Sequence, residues 1–128
     1  MKSLLIAICL LLTLAVSSQS RLGFSYDLIY DEFKDKGLKV SSTDDGTLYL
    51  IFSTEYNQHV YYFDAEKRCD MYVMSPLGQL ALNTAVEFYN KNYVIMSTSH
   101  WMMYTTAGTC DIHLVRDGKL TYFLWKDL

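Results

Sequence analysis

The feature that most constrains this chain is a series of short runs rich in β-branched and aromatic residues. Such runs favour β-strands. Turn signals, including Asp45-Gly46 and the two-residue hairpin signal at 116–119, separate several of them. Strands joined by short connections are antiparallel, so the sequence predicts an antiparallel sheet. The seven runs are Leu48–Phe52, Val60–Phe63, Met71–Met74, Tyr93–Met96, Trp101–Tyr104, Ile112–Val115 and Leu120–Trp125.

Two segments have the pattern of amphipathic helices. Ser25 is a suitable N-cap for a helix over Tyr26–Lys36. Ser75 would cap a second helix, with Pro76 at its first position, where the missing N–H has no cost. This helix would run to about Lys91, with apolar residues on one half of its wheel and polar residues on the other. We expect both helices to lie on one face of the sheet.

The two halves of the chain align at an offset of about 50 to 55 residues. Glu32-Phe33 matches Glu87-Phe88 at the end of each helix, and 38–40 corresponds to 93–95. The sequence therefore predicts an α+β fold with an antiparallel sheet and two helices on one face. The halves would be a tandem pseudo-repeat of one helix plus three or four strands. Chance similarity between two ordinary α+β halves is the alternative.

The N-terminus is typical of a secretory signal peptide. A short basic start precedes the segment 4–16, which is apolar apart from Thr13, and small polar residues follow it. The apolar run is shorter than the about 20 residues of a membrane-spanning helix. We expect cleavage after Ser18, with an uncleaved anchor as the alternative. Residues 19–128 would then form a single exported domain, periplasmic or secreted, that meets a membrane only before cleavage.

Composition excludes several classes of protein. A single proline and 51% hydrophobic residues do not fit a disordered or collagen-like chain. The formal charge of -3 argues against non-specific nucleic-acid binding, which requires a basic surface. We therefore expect a globular domain without a nucleic-acid partner.

Cys69 and Cys110 are the two cysteines that follow the predicted cleavage site. An even number of cysteines in an exported protein favours a disulfide. Closing a loop of this length would stabilise the fold by about 4 kcal/mol in the chain-entropy model. Two buried free thiols are the alternative, because both residues fall on the strand phase that carries apolar side chains.

The segment Val60–Tyr72 resembles a "YYFD…C" hairpin found in small exported bacterial proteins of uncharacterised function. The tandem plan of helix and hairpins is similar to the β-lactamase-inhibitor-protein-like and small outer-membrane assembly lipoprotein folds. The chain departs from the lipoproteins because Ile8 precedes Cys9, where a lipoprotein signal requires a small residue. These resemblances imply a non-catalytic interaction module and assign no functional residues.

Motifs that carry chemistry are missing from the sequence. It has no nucleophile elbow, zinc-protease motif, CxxC pair, phosphate-binding glycine loop or calcium loop. His59, His100 and His113 are isolated, and only convergence in space would make them an open zinc site. Surface or hydrogen-bonded histidines are the favoured alternative. We therefore predict no enzyme activity, no cofactor and no metal site.

Aromatic residues are more frequent on the strands than one buried face requires. In Leu48–Phe52 both alternation phases are apolar, whereas a half-solvated strand alternates apolar and polar. Two helices cover one face, so the other would present Tyr, Trp and Met, which are enriched at protein contacts. A curled sheet that buries both faces is the alternative. Cys69 and Val73 are expected to point inward, so the residues of the alternate phase should point outward. These are Tyr49, Tyr61, Tyr72 and Trp125.

The sequence thus favours an exported, non-catalytic binding or inhibitor-like module. Its aromatic sheet face would contact a protein partner or a second copy of the chain. The alternative is a carrier for a small apolar molecule or a glycan. That alternative predicts a pocket of roughly 300 Å³ or more between the sheet and the helices.

Overall fold

The computed structural model of the protein describes residues 20–105 and 108–128. The predicted signal peptide lies outside the described residues. Within them, no helix is both long and apolar enough to cross a membrane. The helices are α1, Tyr26–Phe33, and α2, Gln79–Asn92. The strands are β1, Lys39–Ser42; β2, Leu48–Ser53; β3, Asn57–Phe63; β4, Cys69–Pro76; β5, Val94–Ser97; β6, His100–Thr105; β7, Gly108–Asp117; and β8, Leu120–Asp127.

The eight strands form one antiparallel sheet in the order β1-β2-β3-β4-β8-β7-β6-β5. The predicted α+β class with an antiparallel sheet is therefore confirmed. Each helix precedes four consecutive strands, and the last strands of the two sets, β4 and β8, pair at the centre. All seven predicted runs overlap a strand, and β1 is an additional strand at the sheet edge.

One line of directly opposed residues crosses the six central strands and forms the middle of the core. Directly opposed side chains lie on the same face of a sheet. Each member of this line is at most 7% exposed. The line is made of Leu50, Tyr61, Tyr72, Trp125, Ile112 and Trp101.

Helix α1 begins as the sequence predicts and ends earlier. The Ser25 hydroxyl accepts a hydrogen bond from the Leu28 amide at 3.3 Å, which is the expected N-cap contact. The helix stops at Phe33 rather than at Lys36. The ring of Phe33 stacks on Phe52 of β2, with 4.4 Å between the ring centroids. This contact attaches the helix to the sheet.

Helix α2 begins three residues later than predicted, so the expected start at Pro76 is wrong. Ser75 and Pro76 are the last residues of β4, where Pro76 pairs with Asn57. Gly78 occupies the N-cap position with φ 111° and makes no side-chain capping bond. The strand continues through the predicted cap because its ladder with β3 extends to that point.

Tyr89 attaches α2 to the core. Its ring contacts Trp101, Phe123 and Trp125 edge-on, with centroid distances of 5.5, 4.8 and 5.7 Å. The indole Nε1 of Trp125 donates a hydrogen bond to the Tyr89 hydroxyl at 3.3 Å. Aromatic pairs of this kind contribute about 0.5–1.5 kcal/mol each beyond the area they bury.

Cys69 and Cys110 are both buried and both free, so the expected disulfide is wrong. Strand β8 lies between their strands, β4 and β7. Residues two strands apart are roughly 10 Å from each other, beyond the about 7 Å that a disulfide spans. Burial raises the pKa of the Cys69 thiol to about 12 and that of Cys110 to about 11. Both thiols are therefore protonated core side chains.

Candidate functional site

Three of the four residues predicted to form an outward aromatic face lie in the core. Tyr61, Tyr72 and Trp125 are 4%, 7% and 0% exposed, so the prediction of their outward orientation is wrong. Tyr49 is half-buried on the opposite face, next to Tyr62. The four residues are therefore divided between the two faces and do not form one surface.

A β-bulge at Asp70 explains this error. Tyr62 pairs with Met71 whereas Phe63 pairs with Cys69, which leaves Asp70 as an extra residue. An extra residue reverses the alternation beyond it. Cys69 points inward as predicted, but Tyr72, three residues later, shares its face. A regular alternation from Cys69 would place Val73 inward and Tyr72 outward. Because of the bulge, the true orientation of these two residues is the reverse.

A cavity of about 430 Å³ opens between α1, α2 and strands β2 to β4. Its volume lies within the range of small-molecule sites, about 300–1,000 Å³. Aromatic and apolar side chains form much of its lining: Phe33, Phe52, Tyr61, Tyr72, Met74, Ala85, Phe88 and Tyr89. The polar members are Arg21, Glu32, Lys36, Thr54, Asn57, His59 and Thr84. An apolar lining with several convergent polar groups is the usual composition of a ligand site.

His59 is the titratable group on the sheet wall of this cavity. Its Nδ1 lies 2.5 Å from the hydroxyl of Tyr72. Burial, with a smaller effect from the charge of Lys36, lowers the pKa of His59 to about 4. The imidazole is therefore neutral at pH 7 and offers hydrogen-bonding groups without a charge.

Asn57 also lines this cavity and carries a hydrogen-bond acceptor without a partner in the part of the chain that the structure describes. Its side-chain oxygen Oδ1 is buried and has no hydrogen-bond partner among the described residues. A buried polar atom without a partner costs about 1–3 kcal/mol. A ligand that donates a hydrogen bond to this oxygen would recover that free energy once the Asn57 side chain rotates to expose it.

An ion pair forms another wall of the cavity. Arg21 donates two hydrogen bonds to Glu32, at 2.7 Å from Nε and 2.5 Å from Nη2. These hydrogen bonds are the main reason that the pKa of Arg21 is raised above its usual value. The Arg21 side chain is only 8% exposed, and its two hydrogen bonds to Glu32 hold the guanidinium beside that carboxylate. Lys36, in contrast, is exposed.

The opposite face of the sheet carries half-buried apolar side chains in two adjacent rows. Their exposure distinguishes this face from the core face, where the corresponding rows are buried. The rings of Tyr49 and Tyr62 are neighbours, with 5.7 Å between centroids. The first row contains Tyr49, Tyr62 and Met71. The second contains Ile51, Val60, Val73 and Leu124, of which Val60 is buried. We call the six partly exposed residues of the two rows the open face.

Two of the three histidines converge, and the third does not. His100 and His113 are directly opposed on β6 and β7, and their rings stack at 4.0 Å. Both contact the carboxylate of Asp111, which is not among the site residues predicted from the sequence. Burial acts to raise the pKa of Asp111, but the hydrogen bonds from both histidines outweigh it, and the pKa is lowered. His59 lies on the other face, opposite Phe52.

Some of these site residues have a signal in the sequence, and others do not. Asp111 and His113 are two apart on a strand, which places their side chains on one face. Phe88 belongs to the apolar half of α2, yet it is 38% exposed because it borders the cavity. Arg21 and Asn57 had no such signal, since only the fold brings them to the cavity.

The chain has no match among protein-family models, curated proteins or solved structures.

Proposed function

We propose that this protein is an exported, non-catalytic binding protein that holds a small, mainly apolar molecule in its cavity. The observation that carries the proposal is the cavity of about 430 Å³ lined by aromatic side chains from both helices and the sheet. This volume exceeds the roughly 300 Å³ that the carrier hypothesis requires. The export itself rests on the N-terminal sequence pattern.

The packing of α1 and α2 on the sheet supports a cavity that lies between the two helices. Phe33 of α1 stacks on Tyr61, and Tyr89 of α2 contacts Trp125. Tyr61 and Trp125 both lie directly opposite Tyr72, so they share a face of the sheet. We therefore propose that both helices cover one face, as two copies of a helix-plus-four-strand pseudo-repeat, with the cavity between them.

The polar groups of the cavity indicate the chemistry of the ligand. Aromatic walls favour a flat apolar body, such as an aromatic ring or the apolar face of a sugar. A hydrogen-bond donor on the ligand would pair with Oδ1 of Asn57 once that side chain rotates toward the cavity. The exposed Lys36 allows an anionic group at the opening. A small glycan or an amphipathic aromatic molecule meets these requirements.

A pair of matched tryptophan variants tests this proposal. Ala85→Trp places an indole inside the cavity, whereas Leu80→Trp adds the same ring on the same helix at a residue that is 74% exposed. The probe is 8-anilinonaphthalene-1-sulfonate, whose fluorescence rises in apolar sites. We expect Ala85→Trp to weaken its binding by about tenfold or more, and Leu80→Trp to leave it within about twofold.

Equal probe affinity in both tryptophan variants would contradict a cavity site, provided that circular dichroism shows both to be folded. Native mass spectrometry of the protein purified without denaturation provides a second measurement. A bound small molecule that is absent from Ala85→Trp would support the proposal directly.

Self-association through the open face is the second candidate function. It is favoured by the half-exposed Tyr62 and Met71, which lie beside Lys126 and Asp111 in one row. Opposite charges beside apolar residues can pair across a twofold axis, because each copy presents both. Light scattering that detects a dimer, and its loss in Tyr62→Ser, would favour this function over ligand binding alone.

A further inference from the structure

Three side chains on strands β6 and β7 are brought together by the geometry of the sheet. Asp111 and His113 are two residues apart on β7, so they point to the same face. His100 lies directly opposite His113. The Leu114 amide donates to the Ser99 carbonyl, which makes 100 and 113 a non-hydrogen-bonded pair, the kind with the closest side chains.

The three side chains meet at one point. The rings of His100 and His113 stack with 4.0 Å between centroids and 14° between planes. Both rings direct Nε2 to Asp111: His113 Nε2 lies 2.8 Å from Oδ2, and His100 Nε2 contacts Oδ1. Their potential ligand atoms all lie within 4.8 Å of one another.

The cluster is separate from the cavity and accessible to solvent. It lies on the side of the sheet that carries the open face, because His113 is directly opposite Leu124. The side chains of His100, Asp111 and His113 are 26%, 19% and 46% exposed. An ion can therefore reach them without any movement of the backbone, although each side chain is partly buried against the sheet.

Two imidazole nitrogens and one carboxylate oxygen are a common ligand set for zinc. Zinc binds these atoms at about 2.0–2.2 Å in tetrahedral geometry, which separates the ligand atoms by roughly 3.4 Å. The ligand atoms already lie within 4.8 Å of one another, so rotations of the side chains would bring them to that spacing. Three protein ligands leave a fourth position for water or another ligand.

We propose that His100, Asp111 and His113 form a binding site for a divalent transition-metal ion, with zinc as the best fit. The ion would bind the two Nε2 atoms and the carboxylate in place of the contacts that now join them. The ligand set also suits copper and nickel, which favour imidazole. The site does not depend on the proposed ligand of the cavity, since the two lie on opposite faces of the sheet.

Titration of the protein with zinc, against a competing chelator, tests the site. We expect one zinc ion per chain, and a loss of affinity of more than about 100-fold in Asp111→Asn and in His113→Gln. Even outer-shell partners of a metal contribute 10–100-fold. Asp117→Asn removes a carboxylate from the same strand outside the cluster, and its affinity for zinc should equal that of the wild type.

Histidine-side-chain NMR of the wild-type protein provides a measurement that does not depend on variants. Zinc should shift the Nε2 signals of His100 and His113 and leave those of His59 unchanged. If the cluster is only a hydrogen-bonded network, the wild type will not bind zinc, or binding will be undiminished in both ligand variants. Either result would overturn the proposal.

Discussion

At the scale of single residues, burial changes the chemistry of this protein more than the sequence indicates. His59 resembles any isolated histidine in the sequence, yet its position beside Tyr72 on the cavity wall makes it neutral at pH 7. The two cysteines show the same effect, because burial keeps both thiols protonated. The sequence specifies these side chains, but only the sheet register determines their surroundings.

The lowered pKa of His59 predicts a loss of stability in mild acid. The folded pKa is about 4 and the ordinary value is 6.5. Between these values the unfolded chain binds a proton that the folded chain does not, so the free energy of unfolding falls as the pH falls from 6.5 to 4. Over that range, the effect of this residue is roughly 2–3 kcal/mol.

Urea denaturation at pH 7 and at pH 4 measures this effect when wild type is compared with His59→Gln. Glutamine keeps a hydrogen-bonding group and removes the titration. We expect the wild type to lose roughly 2–3 kcal/mol more than the variant between the two pH values. Equal losses in both proteins would mean that the imidazole titrates normally in the folded state.

At the scale of elements, the strands and the first helix were predictable because their signals are local. Each run of β-branched and aromatic residues overlaps a strand, and Ser25 caps α1 as expected. The bulge at Asp70 was not predictable, since it depends on the partner strand rather than on the sequence of β4. That single extra residue reversed the assignment of faces and with it the predicted site.

The start of α2 provides a prediction at this scale. Gly78 has φ 111°, a value that residues other than glycine rarely adopt. No atom lies within 4 Å of the position that a Cβ would occupy. Gly78→Ala should therefore destabilise the protein by about 1–3 kcal/mol through backbone strain alone. Ser75→Ala should cost less than about 0.5 kcal/mol, because the hydroxyl of Ser75 belongs to β4 and caps no helix.

Thermal or urea unfolding of the two variants distinguishes this helix start from the one that the sequence favours. An N-cap serine contributes about 1 kcal/mol. A cost of that size for Ser75→Ala, together with a neutral Gly78→Ala, would place the start of the helix at Pro76.

At the scale of the whole molecule, the predicted sheet formed but its two faces have different roles from those expected. The core face contains the buried rings, and the half-exposed face carries Tyr49, Tyr62, aliphatic residues and a histidine cluster. The sequence predicts a cavity only under the alternative that the protein carries a small molecule. It could not be located from the sequence because it forms where both helices and three strands meet.

The most direct test of the central claim is an aromatic NMR spectrum of the wild-type protein with increasing 8-anilinonaphthalene-1-sulfonate. If the cavity is the ligand site, the probe should shift the ring signals of Phe33, Phe52 and Phe88, which line it. The rings of Tyr49 and Tyr62 on the open face should remain unchanged. Shifts confined to those two tyrosines, with the three phenylalanines unaffected, would contradict a small-molecule site between the helices.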